Sequence, residues 1–273
     1  MSEDDLTPEQ LRAALAASQQ KVADMSAAQE EFLRAVSHDL RAPLRHVTSY
    51  GTLVREVLAG LPVEAGAAEE VQEALGFLAT MDQSARRMGG MLDGLLAIAR
   101  ASRAPLLPRP VPLAHALQQA QAQIHAAPQS GAVGTAGAAT AVTWRVDAEL
   151  PALQADPALL HELLVQLLAN AVKFSRGSAP PVVAIAPAAA TEGQVAFTIE
   201  DNGVGFDPAR AGQLFGVFQR LHRESEFEGV GAGLALCRTI ALRHGGEVSA
   251  TARPGAGCTV RVQWPAAVPG SVV

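Results

Sequence analysis

The sequence predicts an α+β protein in which a helical-hairpin domain precedes an α/β sandwich. Three observations point there. Apolar residues repeat in steps of four and three along two long N-terminal stretches. Four prolines, Pro105, Pro108, Pro110 and Pro112, then break the helical pattern. Beyond them, short β-rich runs alternate with helical ones. A chain of 273 residues accommodates two modest domains. An apolar fraction of 49% with only 4% aromatic residues means a core built from Leu, Val and Ala.

The first seam runs Leu11, Leu15, Ser18, Val22, Met25, Gln29, Phe32 and Val36. It continues into Leu40, Leu44 and Val47, where successive steps of four would locally unwind a left-handed supercoil. A helix is therefore expected to about Leu58. Gly60, Pro62 and Gly66 mark a connection. Val71, Leu75, Leu78, Met81, Ala85, Met88, Leu92, Leu95 and Ala99 then repeat the seam on a second helix, antiparallel to the first. Two narrow apolar stripes cannot enclose a dry core, so a four-helix bundle shared by two chains, a homodimer, is expected. An intramolecular hairpin packed on the second domain is the alternative.

The proline segment 105–112 reads as a linker. After it, Leu113 to Ala127 reads as a helix and 128–141 as a loop of low complexity. Strands are expected around 142–146, 182–186, 194–200, 247–252 and 258–264, with helices at about 157–174 and 231–244. That order gives one sheet covered on one face by helices. The expected divisions are a coiled-coil lead over 1–30, a helical domain over 31–104, the linker, a sandwich over 113–266 and a tail over 267–273.

A formal charge of -6 leaves no electrostatic footprint for nucleic acid or an anionic bilayer. No stretch approaches the roughly 20 apolar residues of a membrane span, and the start MSEDDLTPEQ lacks the basic-then-apolar order of a signal peptide. A cytoplasmic chain is expected. Cys237 and Cys258 lie in apolar runs without metal-ligand spacing and read as reduced core residues.

His38 lies two residues from Val36 and two from Leu40, about 200° around the helix from their seam, so it faces solvent. A lone exposed histidine is ordinary surface. This one sits in FLRAVSHDLRAPL, beside Asp39, with Pro43 positioned to bend the helix just after it. Further on, Asp156-Pro157 is an acidic N-cap followed by proline at the first helical position. On the helix it starts, Gln166, Asn170 and Lys173 share one face. That face fits either a solvated surface or a site in which amide oxygens hold Mg²⁺ and Lys173 offsets phosphate charge. In IEDNGVGFD, Asp201 leaves a strand and could accept from an adenine amino group, while Gly203 and Gly205 allow close backbone approach. In EGVGAGLALCRTI, Gly229, Gly231 and Gly233 precede a helix whose N-terminal N–H groups can receive phosphate.

FLRAVSHDLRAPL resembles the phospho-acceptor box of histidine kinases. The three later motifs, in this order and spacing, resemble the Asn-box and two glycine boxes of the family's ATP-binding domain. LFGVFQRLH looks like its Phe-box. The run FQRLHRESEFEGVGAGLALCRTIALRHGG is especially similar to kinases of the bacterial phytochrome type. The resemblance covers about residues 30–265 and implies a sensor histidine kinase of a two-component system, with a dimerisation and phosphotransfer domain ahead of a Bergerat-type ATP-binding domain. By resemblance, His38 attacks the terminal phosphate of ATP and Asp39 holds its other ring nitrogen. Phe218 and Leu234 lie near the nucleotide, and Arg220 meets the γ-phosphate. The implied partner is the receiver domain of a response regulator, which accepts phosphate on an aspartate. Input from a separate sensor protein through residues 1–30 is a further expectation, unless the chain is a fragment. One departure stands at Gln166, where the family usually has an asparagine that helps bind Mg²⁺. It supports an alternative, a degenerate kinase holding ATP as a dimeric scaffold. ATPases of the heat-shock chaperone or mismatch-repair kind lack the His-Asp-x-x-x-Pro helix, so that segment argues against them.

Overall fold

The computed structural model describes residues 37, 38, 40–60, 68–126, 142–178, 180–223 and 226–266. The expected coiled-coil lead, Asp39 and the tail from 267 on lie outside them. The chain divides into two units, Met1–Arg100 and Ala101–Val273.

In the first unit, α1 (residues 40–60) and α2 (Ala68–Arg103) are the two expected helices. Helix α1 runs through Pro43 without a break. Hydroxyls of Thr48, Thr52, Thr80 and Ser84 donate to carbonyls one turn back, which satisfies them without a partner helix. Arg41, near the start of α1, donates to Asp93, late in α2, at 2.6 Å, as an antiparallel hairpin requires. Seam residues Leu40, Val47, Met81 and Met88 are exposed in the single chain, together with Tyr50, Leu53, Val57 and Phe77.

In the second unit, a five-stranded sheet of order β2-β4-β5-β7-β6 comprises β2 (Thr143–Val146), β4 (Val182–Ala188), β5 (Gln194–Asp201), β6 (Glu247–Ala252) and β7 (Cys258–Pro265). The β2/β4 pair is parallel and the others are antiparallel. Three helices accompany it: α3 (Leu113–Ala126), α4 (Pro157–Phe174) and α5 (Gly233–Arg243). The central element is α4, whose Leu160, Leu163, Leu164, Leu167 and Leu168 are buried with Phe197, Ile199, Ile240 and Trp264. At about 1.5–3 kcal/mol per buried large apolar side chain, this layer is the main source of the unit's stability.

The N-cap of α4 behaves as its sequence predicts. Asp156 Oδ1 accepts from the N–H groups of Ala158 and Leu159 at 3.0 and 3.2 Å. Its Oδ2 accepts from Leu107 N at 3.2 Å. Its own N–H donates to His244 Nε2 at 3.1 Å, and His244 Nδ1 donates to the Ile240 carbonyl at 2.8 Å. His244 is thus a structural, neutral imidazole whose ring lies tilted against Trp264 with centroids 4.7 Å apart, and burial holds its pKa below the ordinary value.

Two strands escaped the sequence. Residues 109–112 of the expected linker form β1 (Arg109–Pro112), antiparallel to β3 (Ala152–Ala155). Prolines are tolerated there because β1 is the edge of a two-stranded sheet, paired on one side only, and needs few ladder donors. Of the cysteines, both free, Cys237 is buried as expected and Cys258 is only half-buried.

Candidate nucleotide-binding site

A cleft of about 320 Å³ opens between the second half of α4, the ends of β5 and β7, residues 214–234 and the start of α5. Ten of the residues singled out in the sequence line it: Gln166, Asn170, Lys173, Asp201, Gly205, Arg220, Gly229, Gly231, Gly233 and Leu234. A more open depression of about 540 Å³ between α5 and β6 carries none of them.

One end of the cleft is acidic and deep. Asp201 closes β5 and is 6% exposed, with Oδ1 accepting from Gly203 N at 2.9 Å. Burial pushes its carboxyl up to about 6, against the opposing pull of the Gly203 and Cys258 backbone N–H groups. Gly203 does not line the cleft. A side chain there would overlap the Phe174 carbonyl, so Gly203 lets the chain turn and supplies the N–H that holds Asp201. Gly205, at φ +61, is pressed against the Arg253 carbonyl, where only glycine fits.

The other end is basic. Lys173 is lowered to about 8, chiefly by burial; Glu228 opposes the shift, and Arg220 and Arg176 add to it. Its ammonium lies 4.4 Å over the Phe174 ring and donates to the Glu228 carbonyl at 3.3 Å. Arg220 donates to the carbonyls of Gly229 and Phe227 at 2.5 and 2.6 Å. Helix α5 begins at Gly233 with no side-chain cap, so its first N–H groups, beside the cleft, remain for an anion.

Phe218 is not a lining residue. Its backbone sits at φ +61 and its N–H donates to the Gly231 carbonyl at 2.9 Å, a turn that carries residues 219–222 into the cleft instead. The aromatic wall is Phe174, His222 and Phe227, with ring centroids 4.9 to 5.4 Å apart. Sequence reasoning passed over these three: His222 and Phe227, with Glu228 beside them, lie in HRESEFE, which reads as charged loop, and Phe174 is the last residue of α4. Phe227 alone among acidic residues was the available signal. Cys258 also lines the cleft, brought opposite Asp201 by the β5/β7 register. In the first unit, His38 is helical and exposed, as expected.

Fold and cleft together define an ATP-binding domain, and residues 155–268 match the family of histidine kinase-, DNA gyrase B-, and HSP90-like ATPases. The relatives narrow the class. The chain is 32% identical over 243 residues to sensor protein CutS of Streptomyces coelicolor, covering 87% of this chain and 53% of that protein. It is 30% identical over 257 residues to the adaptive-response sensory kinase SasA of Synechococcus elongatus, covering 90% and 62%. With the phytochrome-like protein Cph1 of Synechocystis it shares 27% over 231 residues, covering 84% and 28%. The crystal structure of full-length ShkA in complex with AMPPNP superposes with a TM-score of 0.55 at 25% identity, covering 88% of this chain and 47% of that one. The Acinetobacter baumannii histidine kinase AdeS, at 13% identity and TM-score 0.51 over 84% of this chain and 97% of that one, shares the fold. Residues 155–268 thus carry a GHKL-type ATP-binding domain, and over most of its length the chain is similar to sensor histidine kinases. It spans about half or less of the length of CutS and Cph1. Among the described residues, no helix is long and apolar enough to cross a membrane.

Proposed function

We propose that this chain is an ATP-dependent protein-histidine kinase that phosphorylates its own His38 and passes the phosphoryl group to an aspartate of a response-regulator receiver domain. The polarity of the cleft carries this reading: a buried carboxyl at one end and Lys173, Arg220 and the uncapped α5 N-terminus at the other. An adenine amino group meets Asp201, and a polyphosphate meets the cations. Residues 31–104 would then be the dimerisation and phosphotransfer domain and 113–266 the catalytic domain, with residues 1–30 a route for input from a separate sensor. The exposed apolar seam of α1 and α2 supports a homodimer that closes a four-helix bundle. A cytoplasmic setting follows from the chemistry, since ATP and receiver domains are found there.

In this scheme a neutral ring nitrogen of His38 attacks the γ-phosphorus. The N–P bond forms as the bond to the β–γ bridging oxygen breaks, and ADP leaves with the electron pair. Asp39, by family resemblance, holds the other ring nitrogen. A receiver carboxylate then takes the phosphorus, giving an acyl phosphate and restoring His38. Lys173 and Arg220 hold phosphate oxygens throughout. Among the described residues no cluster of three or more His, Cys, Asp or Glu could hold a metal unaided. The neutral amides of Gln166 and Asn170, both lining the cleft, instead suit a hard cation whose charge the phosphates meet. When bound, Mg²⁺ would offset charge developing on those phosphates.

The decisive experiment incubates the chain with labelled ATP and Mg²⁺ and examines the product. An acid-labile, base-stable phosphoprotein is expected, and ATP binding without labelling would favour the scaffold alternative. Gln166→Asn tests the family departure. The shorter amide should lower the Mg²⁺ concentration for half-maximal labelling about threefold, the scale of one repositioned ligand oxygen. An unchanged requirement would remove Gln166 from the ligand set.

Nucleotide binding should depend on pH at both ends of the cleft. Asp201, raised to about 6, accepts more strongly from adenine when ionised, so affinity falls as pH drops through 6. Lys173, lowered to about 8, must be protonated to hold phosphate, so affinity falls as pH rises through 8. Calorimetric titration separates the two: adenosine should show the acid limb alone and ATP both. An alkaline limb with adenosine would contradict the assignment of Lys173.

A further inference from the structure

Glu228 has no part in the scheme above, yet it lines the basic end of the cleft, where a nucleotide's phosphates would lie. Its Oε1 pairs with Arg176 at 2.6 Å, and its main-chain carbonyl accepts from Lys173. The carbonyls on either side, of Phe227 and Gly229, receive both terminal nitrogens of Arg220. Three cations therefore converge on one three-residue turn. Burial pushes the Glu228 carboxyl upward, but backbone hydrogen bonding, Arg176 and Lys173 together hold it below the ordinary glutamate range. It is an anion at neutral pH.

Resting on the reading of this cleft as an ATP site, we propose that Glu228 is a specificity-determining residue, an internal anion that competes with nucleotide phosphates for Arg176 and, through its charge, for Lys173. Phosphate entry is then an exchange. Arg220 gives up two neutral carbonyls for charge-assisted bonds to phosphate, and Lys173 does the same with one. The incoming charge is also repelled by the Glu228 carboxylate, and that repulsion grows with each phosphate. Adenosine is untouched by it, ADP feels it, and ATP feels it most. The natural residue thus holds ATP affinity down and narrows the preference for ATP over ADP, which makes occupancy sensitive to the ratio of the two.

The test is calorimetric titration of the whole chain at pH 7 with adenosine, ADP and ATP, for the natural protein, Glu228→Gln and Glu228→Asp. The Gln variant should bind ATP roughly three- to tenfold more tightly, a range set by the half-exposed position of the pair. It should bind ADP more tightly by a smaller factor and adenosine equally. The gain should shrink in high salt, and Asp, which keeps the charge, should leave ATP affinity close to natural. If the natural chain binds ATP and the Gln variant binds it no tighter, or if adenosine gains as much as ATP, the proposal is overturned while the ATP site stands. If no variant binds adenosine or ATP, the ATP-site reading itself fails.

Discussion

Replacing His38 with alanine should reduce incorporation of the γ-phosphoryl group from ATP to background while leaving ATP affinity unchanged. The two halves of that expectation have separate physical grounds. No group on alanine can form a P–N bond, so the loss is complete and not a matter of degree. The nucleotide cleft is built wholly from residues between Gln166 and Val260, in the second unit, whereas His38 is an exposed residue of the first. An exposed side chain on a helix contributes little to stability, and alanine favours the helix, so folding should not be compromised. Labelling of the intact variant at the natural rate would show that another residue is the acceptor.

Asp201→Asn should weaken ATP binding about 10- to 100-fold, the loss of a charge-assisted hydrogen bond of roughly 1.5–3 kcal/mol. The amide keeps one oxygen for Gly203 N–H but turns an N–H toward a purine amino group, donor against donor. The same substitution should stabilise the empty fold at neutral pH. The folded carboxyl is raised to about 6 against an ordinary 3.8, so the native state holds this proton more tightly than the unfolded chain. The favourable contribution of Asp201 is therefore fully present below pH 3.8 and lost as pH rises through 6. Carrying the buried charge at pH 8 costs about 3 kcal/mol by linkage, before the amide's own unmet donors offset part of the gain. The difference in Tm, Asn minus Asp, should consequently rise by roughly 4–8 °C between pH 4 and pH 8. A difference independent of pH would mean that Asp201 titrates normally, and the desolvated carboxyl would no longer explain the adenine end of the cleft.

The parts of the fold that could be read in advance are those whose local chemistry and long-range packing agree. Asp156-Pro157 announces the start of α4, and the leucines that follow are buried on the side the period requires. Strands β6 and β7 alternate apolar with polar residues, and β4 is a short apolar run, so they stand out. By contrast, β1 is four residues with two prolines, and β3 is ALQA; each is defined by the other and not by its own composition. The cleft divides in the same way. Polar residues and glycines carry their chemistry with them, so Gln166, Asn170, Lys173, Asp201 and the glycine turns were legible. Phe174, His222 and Phe227 become a wall only when a segment some fifty residues away in sequence folds over α4, and nothing local specifies that. Cys258 enters the cleft through strand register, which a one-residue slip would have reversed.

The path of residues 101–112 has a mechanical consequence for the second unit. The proline segment looks like slack, yet the second unit grips it along most of its length. Arg243 holds the Ala101 carbonyl at 2.6 Å, Asp156 holds the Leu107 N–H, Gln154 donates to the Pro108 carbonyl at 3.2 Å, and β1 is laced to β3. A cord pinned at so many points belongs to the second unit's own frame and cannot pay out as a loose tether would.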